Sequence, residues 1–428
     1  MTTDMPLRVS ADVALTNELI AFRREMHADP EIGLHLPRTQ ARVLEALKDL
    51  ELEIVLGTST TSVVAVLRGG AVPDRVIAGD RPAVLLRGDM DALPITEKSG
   101  VDFASVNGAM HACGHDLHTA GLVGAAKLLH SVRAQLPGDV VFMFQPGEEI
   151  FAGAQAMLDE GVLRASGGRP IAAYGVHMAS DAPAGLFTTR PGPYMAAFGQ
   201  LDVSVQGRGG HGSRPFQALD PIQVAAEIVG SLQTYITRRF NVFDPVILTV
   251  GEFHGGSAAN IIPDEATFKA GIRCFSAEVQ GRLAVELPNL VESIARAHQL
   301  TADAVFDLKL PVTENNAGEA EFWAATAADL FGEERFETLQ FPKAGSEDFS
   351  KILLEVPGSF GHIGAGSPDV DPSEWAPLHS SRAQFDDRVL GDQATFLATL
   401  AVRRLSAANM SAGVSAGGSA GVSATGAA

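Results

Sequence analysis

The apolar positions fall into two rhythms along the chain, and the change of rhythm divides it. Over residues 13–27 and 39–50 they recur at helical spacing. The segments TSVVAVLRG and PAVLLRGDMDALP then read as short buried strands that end in polar loops. Residues 119–133 predict a helix, VVFMF at 140–144 a central strand, 152–160 another helix and IAAYGVH at 171–177 a further strand. These strands alternate with helices and are apolar in unbroken runs. That combination predicts an α/β sheet covered on both faces, with chemistry placed just past the carboxyl ends of its strands.

Beyond Gly192 the strands alternate instead. FGQLDVSVQG, PVILTVGEFHG, EATFKAGIRCF and ADAVFDLKL read as strands, with helices over 220–238 and 278–298. The order β-α-β-β-α-β is the split, ferredoxin-like pattern with helices on one face. The expected fold is therefore α/β: a large domain with a central mixed sheet at 13–193 and 312–403, interrupted by a small βαββαβ domain at 194–311. Residues 404–428 form a Gly/Ser/Ala tract with AGVSA-like repeats and are expected to be a disordered tail.

Composition narrows the function. A length of 428 residues fits two or three domains, and 46% hydrophobic residues supply ample core. There are 32 basic and 51 acidic residues, a net charge of -19, and no basic run. Nucleic acid and anionic membrane surfaces are thereby excluded as main partners. Cys113 and Cys274 cannot make a disulfide framework in so long a chain and fit a reducing compartment. No basic-then-apolar leader opens the chain and no 18-residue apolar run interrupts it, so a cytoplasmic protein is expected.

Candidate chemistry is concentrated in three motifs. MHACGHDLH at 110–118 packs three of the chain's 12 histidines, a cysteine and an aspartate just before a helix. Thiolate, imidazole and carboxylate are the ligand types of zinc and its first-row neighbours. His111 or His118 alone is equally well read as a core histidine, and Cys113 as a buried hydrophobe or a nucleophile; the group as a unit reads as metal-binding. In FQPGEE at 144–149, two glutamates follow a strand. Glu149 suits metal binding, while Glu148 suits the general base that takes a proton from water and hands it to a leaving group. In RGDMDALP at 87–94, Asp89 and Asp91 suit orienting a ligating histidine, with a plain loop role equally open; Asp116 is a third such aspartate. With His177 and His379, the residues Cys113, His115 and Glu149 offer five ligands, enough for two divalent ions, and favour zinc, manganese, cobalt or nickel over magnesium. The glycine-dense loop QGRGGHGSRP at 206–215 lacks the lysine of a phosphate loop and carries His211, a candidate oxyanion donor or an exposed loop histidine.

Together with RREMHADPE at 23–31, NIIPD at 260–264, GSEDF at 345–349 and LHS at 378–380, these motifs resemble the aminoacylase/carboxypeptidase family of metallohydrolases (metallopeptidase family twenty). They are similar in particular to its branch of hippurate hydrolases, N-acyl-amino-acid amidohydrolases and indole-acetyl-amino-acid hydrolases. The resemblance runs from about residue 20 to 390. It implies ligands at Cys113, His115, Glu149, His177 and His379, a general base at Glu148, and His211 holding the scissile carbonyl, in some members across a dimer. It implies that Asn260 lies near the substrate, and that the small domain is a lid through which two copies can pair. Three departures stand out: Leu34 and His35 where relatives carry an aromatic and acids, Gly147 and Ile150 around the glutamates, and Arg214 after the glycine-rich motif. Arg214 is placed to approach a substrate carboxylate or to stay a solvated surface residue. The expected reaction is hydrolysis of an N-acyl-L-amino acid, the alternative a dipeptidase or carboxypeptidase using the same site. A non-catalytic metal-binding scaffold and a cysteine hydrolase using Cys113 are the contrasting classes.

Overall fold

A computed structural model of the chain describes residues 7–72 and 77–417. The first stretch carries α1 (Val13–Ala28), α2 (Pro37–Leu47), β1 (Glu53–Leu56), β2 (Val63–Leu67), β3 (Ala83–Asp89), α3 (His115–Ser131), β4 (Asp139–Gln145), α4 (Gly153–Asp159), β5 (Ala172–Ala179) and β6 (Phe187–Thr189). Next come β7 (Gly192–Met195), β8 (Ala197–Gln206), β9 (Gly210–His211), α5 (Pro221–Arg239), β10 (Ile247–Gly255), β11 (Ile261–Ile262), β12 (Glu265–Cys274), α6 (Ala277–Ala297), β13 (Thr301–Leu310) and β14 (Thr313–Asn315). The last stretch holds α7 (Ala317–Phe331), β15 (Phe336–Thr338), α8 (Ser350–Glu355), β16 (Gly358–Gly364) and α9 (Leu390–Gly417). Among the described residues no helix is long and apolar enough to cross a membrane.

The chain divides into two compact units. One takes the residues up to 192, 315–340 and those from 352 on; the other takes 193–314 and 341–351. Residues 341–351 join the smaller unit because its backbone holds them. Lys343 N donates to Tyr194 O at 2.9 Å, and Ala196 N donates to the carbonyls of Lys343 and Gly345.

The larger unit is built on an eight-stranded mixed sheet of order β1-β2-β4-β3-β5-β16-β6-β15. Every residue of β2, β3, β4 and β5 is buried, which is what their unbroken apolar runs require. β4, β3, β5 and β16 run parallel, so Gln145, Asp89, His177 and His362 end near one edge of the sheet; Asp89 is in register with Gln145, and His362 with His177. α3 packs against β3 and against both α1 and α9. Such close packing needs small residues: a Cβ on Gly124 would lie 2.6 Å from Leu19 Cδ1 and 2.7 Å from Ala394 Cβ.

The smaller unit is a four-stranded antiparallel sheet of order β10-β12-β8-β13 with α5 and α6 packed on it. Its strands alternate as read from the sequence. In β8 the residues Leu201, Val203 and Val205 are buried while Gln200, Asp202 and Ser204 between them are half-buried. This is the split βαβ arrangement. A short ribbon pairs β9 with β11.

One expectation is corrected. The tail foreseen from 404 onward is helical to Gly417, as the continuation of α9. Leu405 is fully buried, and Arg404 Nε donates to Glu319 Oε1 at 2.9 Å. Alanine-rich sequence propagates a helix once tertiary contacts have started it. Residues 418–428 of that tract lie outside the described residues.

Candidate metal centre

The five side chains read from the sequence as ligands come from four places along that one sheet edge. Cys113 and His115 flank Gly114, whose φ of +83° turns the chain into α3. A side chain at Gly114 would meet Phe385 Cε1 at 3.1 Å. Glu149 lies in the turn after β4, and His177 within β5. His379 has φ of +66°, and its backbone N donates to Ala112 O at 3.0 Å, tying its loop to that of Cys113. The structure groups candidate donor atoms within 4.8 Å of one another as Cys113, His115 and His177; Cys113, Glu149 and His379; and His115, Glu148 and Glu149.

The hydrogen bonds decide which histidine nitrogens are free to bind. His177 Nδ1 donates to Met178 O at 2.7 Å, which leaves the lone pair of Nε2 facing Cys113 Sγ at 3.4 Å. His115 Nδ1 donates to Asp91 O at 2.9 Å, so its Nε2 is the other lone pair. That Nε2 and Glu149 Oε1 are buried without a hydrogen-bond partner, although Glu149 Oε1 lies 3.9 Å from His115 Nε2 and 3.4 Å from His379 Nε2. Buried polar atoms without partners are costly, and a cation between them removes the cost. The donor set of one sulfur, three imidazoles and carboxylate fits zinc and its first-row neighbours. His118 joins Asp89 and His115 in a further group of possible donors, but it has no lone pair to give: Nδ1 donates to Asp89 Oδ1 at 2.5 Å and Nε2 accepts from Met178 N at 2.8 Å.

Electrostatics agree with a cation site. Burial pushes the Cys113 thiol up to about 12, so without a positive charge beside it the group is a thiol and a poor nucleophile. Burial opposes charge on His115, yet the Asp89 carboxylate, with Cys113 and Asp91 beside it, outweighs burial and holds the imidazole well above its ordinary range, so the surroundings favour a positive charge here, and a bound ion would take the place of the Nε2 proton. His177 is pushed well below that range by burial and the His118 and His115 rings, and stays neutral as a ligand must.

Asp91 organises the two glutamates. Its Oδ1 and Oδ2 accept the backbone N–H groups of Glu148 and Glu149, each at 3.1 Å, while its carbonyl holds His115. Glu148 is buried beside Glu149, whose carboxyl is lowered against the push of burial by His379 and His115. Asp89 bonds to His118 and forms an ion pair of 2.8 Å with Arg87, while its Oδ2 lies 3.4 Å from His115 Nε2. Asp116 turns away to His27 at 2.7 Å and Arg23 at 2.6 Å, and His27 reaches Glu97 at 3.0 Å. This buried Glu97–His27–Asp116–Arg23 chain was not foreseen, because its bonded pairs span long stretches of sequence, 89 residues between His27 and Asp116. His111 is buried with neither ring nitrogen hydrogen-bonded, and burial pushes it down to about 3. His362, also unforeseen, stacks on the His177 ring at 5.2 Å between centroids; the one signal was a lone histidine in the apolar strand GSFGHIG.

The remaining candidates belong to the smaller unit. His211 in β9 and Ile261 in β11 are partners in the ribbon, and Gly212 N donates to Asn260 O at 2.9 Å, so His211 and Asn260 share one exposed loop cluster. His211 Nδ1 accepts from Ser213 N at 3.1 Å, which makes Nε2 the donor nitrogen. Arg214 is exposed beside them.

A mixed sheet that gathers sulfur, imidazole and carboxylate donors around a glutamate pair is the framework of a metal-dependent hydrolase of amides. Residues 85–403 match Peptidase family M20/M25/M40, and the chain belongs to that family. It is 33% identical over 394 residues to N-acetylcysteine deacetylase of Bacillus subtilis, covering 92% of this chain and 98% of that protein. It is 32% identical over 394 residues to IAA-amino acid hydrolase ILR1-like 2 of Arabidopsis thaliana, covering 90% and 85%. Among solved structures, a dinuclear metal-binding peptidase of the M20 family from Bacillus subtilis superposes with a TM-score of 0.77 at 30% identity, over 92% of this chain and 99% of that one. Family and donor clusters together support two divalent ions.

Proposed function

We propose that the protein hydrolyses the amide bond of N-acyl-L-amino acids, releasing a carboxylic acid and a free amino acid. The observation that carries the reading is the division of labour at Asp91, which presents two consecutive glutamates, one with an unpartnered buried oxygen among histidines and one beside it. Cys113, His115, Glu149, His177 and His379 are the proposed ligands. Two bound divalent ions would supply Lewis acidity towards the carbonyl and acidify the attacking water. Glu148 takes the proton of that water and returns it to the departing nitrogen. His211 Nε2 is the proposed donor to the developing oxyanion, with Asn260 and Arg214 contacting the substrate. Support comes from the relatives whose names describe a deacetylase and an amino-acid conjugate hydrolase. The sulfur ligand favours zinc, manganese, cobalt or nickel, and a reducing cytoplasm keeps Cys113 free to serve as one. Pairing of two copies through the smaller unit belongs to the same reading, with light scattering as its measurement.

The test is Glu148→Gln. Turnover of N-acetyl, N-benzoyl and indole-acetyl amino acids is expected to fall by about 10²–10⁴-fold, with metal content by elemental analysis unchanged. Metal loss in that variant would sink the assignment of Glu148. A wild-type preference for dipeptides over all capped amino acids would replace the amidohydrolase reading with a peptidase one.

A further inference from the structure

A cavity of about 440 Å³ borders the loop that carries His379, and none of its described lining residues is a proposed metal ligand. Trp375, Ala376 and Arg382 of that loop form one wall, Lys98 a second, and Ser180 and Ser367, just past the ends of β5 and β16, a third. The walls are bonded to one another. Lys98 N donates to Ser381 O at 2.7 Å, Gln384 Nε2 to Ser99 O at 2.6 Å, Ser180 Oγ to Ala376 O at 2.8 Å and Trp375 Nε1 to Ser367 O at 2.9 Å. The cavity is therefore preformed, and a ligand that enters it loses little to ordering of the protein. Its charge runs against that of the chain. Acids outnumber basic residues 51 to 32 overall, yet here the two exposed cations Lys98 and Arg382 face one acid, Glu374. Among the described residues neither cation's side chain has an ion-pair or hydrogen-bond partner. Glu97, next to Lys98, is turned inward to His27 and Ser99. One positive charge in excess matches a monoanion, while Val370, Trp375 and Ala376 offer apolar surface that a bare inorganic anion leaves unused. Ser367 Oγ accepts from Asp369 N at 3.4 Å and keeps its own proton to donate.

We propose that this cavity is a second binding site, for a small organic monocarboxylate held between Lys98 and Arg382, and that its occupant braces the His379 loop. Lys98 belongs to the segment whose Glu97 holds His27, and Arg382 to the loop of His379, so a carboxylate bridging the two cations ties both segments together. The loop has a conformation worth holding: His379 sits at φ of +66°, a left-handed backbone that costs energy for a residue with a Cβ. Bracing rests on the reading of His379 as a metal ligand; carboxylate binding does not. The test is calorimetry on the metal-loaded full chain with benzoate, with benzamide, which lacks the charge, and with inorganic phosphate, which lacks the apolar body. Benzoate is expected to bind about fivefold tighter than either, or more. Lys98→Gln and Arg382→Gln are each expected to weaken benzoate about fivefold at unchanged metal content. No benzoate binding, or an affinity unmoved in both variants because the anion sits on the metals, overturns the site. Phosphate binding as tightly as benzoate overturns the class of ligand. Competition with a chromogenic chelator then reads metal affinity with and without saturating benzoate. It is expected to rise about fivefold in the wild type and to stay level in Arg382→Gln. No gain in the wild type, or the same gain in the variant, overturns the bracing. None of these readouts needs amide turnover, so failure of the hydrolase reading is recognised separately.

Discussion

Asp91 shows how one buried side chain can set two functions at once. Its carboxylate oxygens hold the backbone of Glu148 and Glu149, and its carbonyl fixes the His115 tautomer. Burial raises the carboxyl of Asp91, and the bond and charge of His115 work against that shift. Asp91→Asn keeps the shape but turns one acceptor into a donor facing an N–H. We expect metal affinity to fall by roughly 10–100-fold, read by competition with a chromogenic chelator. An affinity within twofold of wild type would remove Asp91 from this role. That Cys113, His115, Glu149 and His177 come together was legible beforehand, because they follow or end apolar strands or open a helix; His379, on a loop between β16 and α9, carried no such signal of its own. The state of each imidazole was not legible. His118 is spent on Asp89 and on Met178, and Met178 is 60 residues away along the chain.

At the level of elements, the periodicities that mark β3, β4 and β5 as buried and β8 and β12 as one-sided are strong because each strand's environment is uniform along its length. The end of α9 was illegible for the opposite reason. Its composition is that of a linker, and only packing shows that Leu405 belongs to the core, with its Cδ2 2.6 Å from the place of a Cβ on Gly138. Leu405→Ala is expected to destabilise the protein by about 2–5 kcal/mol. Chemical denaturation followed by circular dichroism measures it. A change below about 0.5 kcal/mol, the range of surface substitutions, would return this stretch to the role of a tail.

Stability of the whole molecule should carry the signature of the Glu97–His27–Asp116–Arg23 chain. Burial works against charge on His27, but Asp116 and Glu97 outweigh it and raise the imidazole above 6.5. Burial likewise opposes charge on Glu97, yet the bonds to His27 and Ser99 bring its carboxyl below 4.5. The histidine's contribution is full below pH 6.5 and lost as pH climbs through its raised value; the glutamate's is full above pH 4.5 and lost as pH falls through its lowered one. Their joint contribution therefore peaks between about pH 4.5 and 6.5. Thermal unfolding of wild type and His27→Gln across pH 4 to 9 is expected to differ most inside that window and to converge above it. A constant difference would show that the ring acts by packing alone. The insertion has a different consequence, one of timing. β5 pairs with β16 through Ala173 and Gly358, and β6 pairs with β16 and β15. A growing chain presents the naked flank of β5 long before the ribosome delivers its partner, a delay on the order of ten seconds or more at ordinary elongation rates. The intervening residues 193–314 can close their own sheet within that interval. Biogenesis of this protein thus passes through a half-built sheet with an unprotected strand, where chaperone capture or aggregation competes with completion.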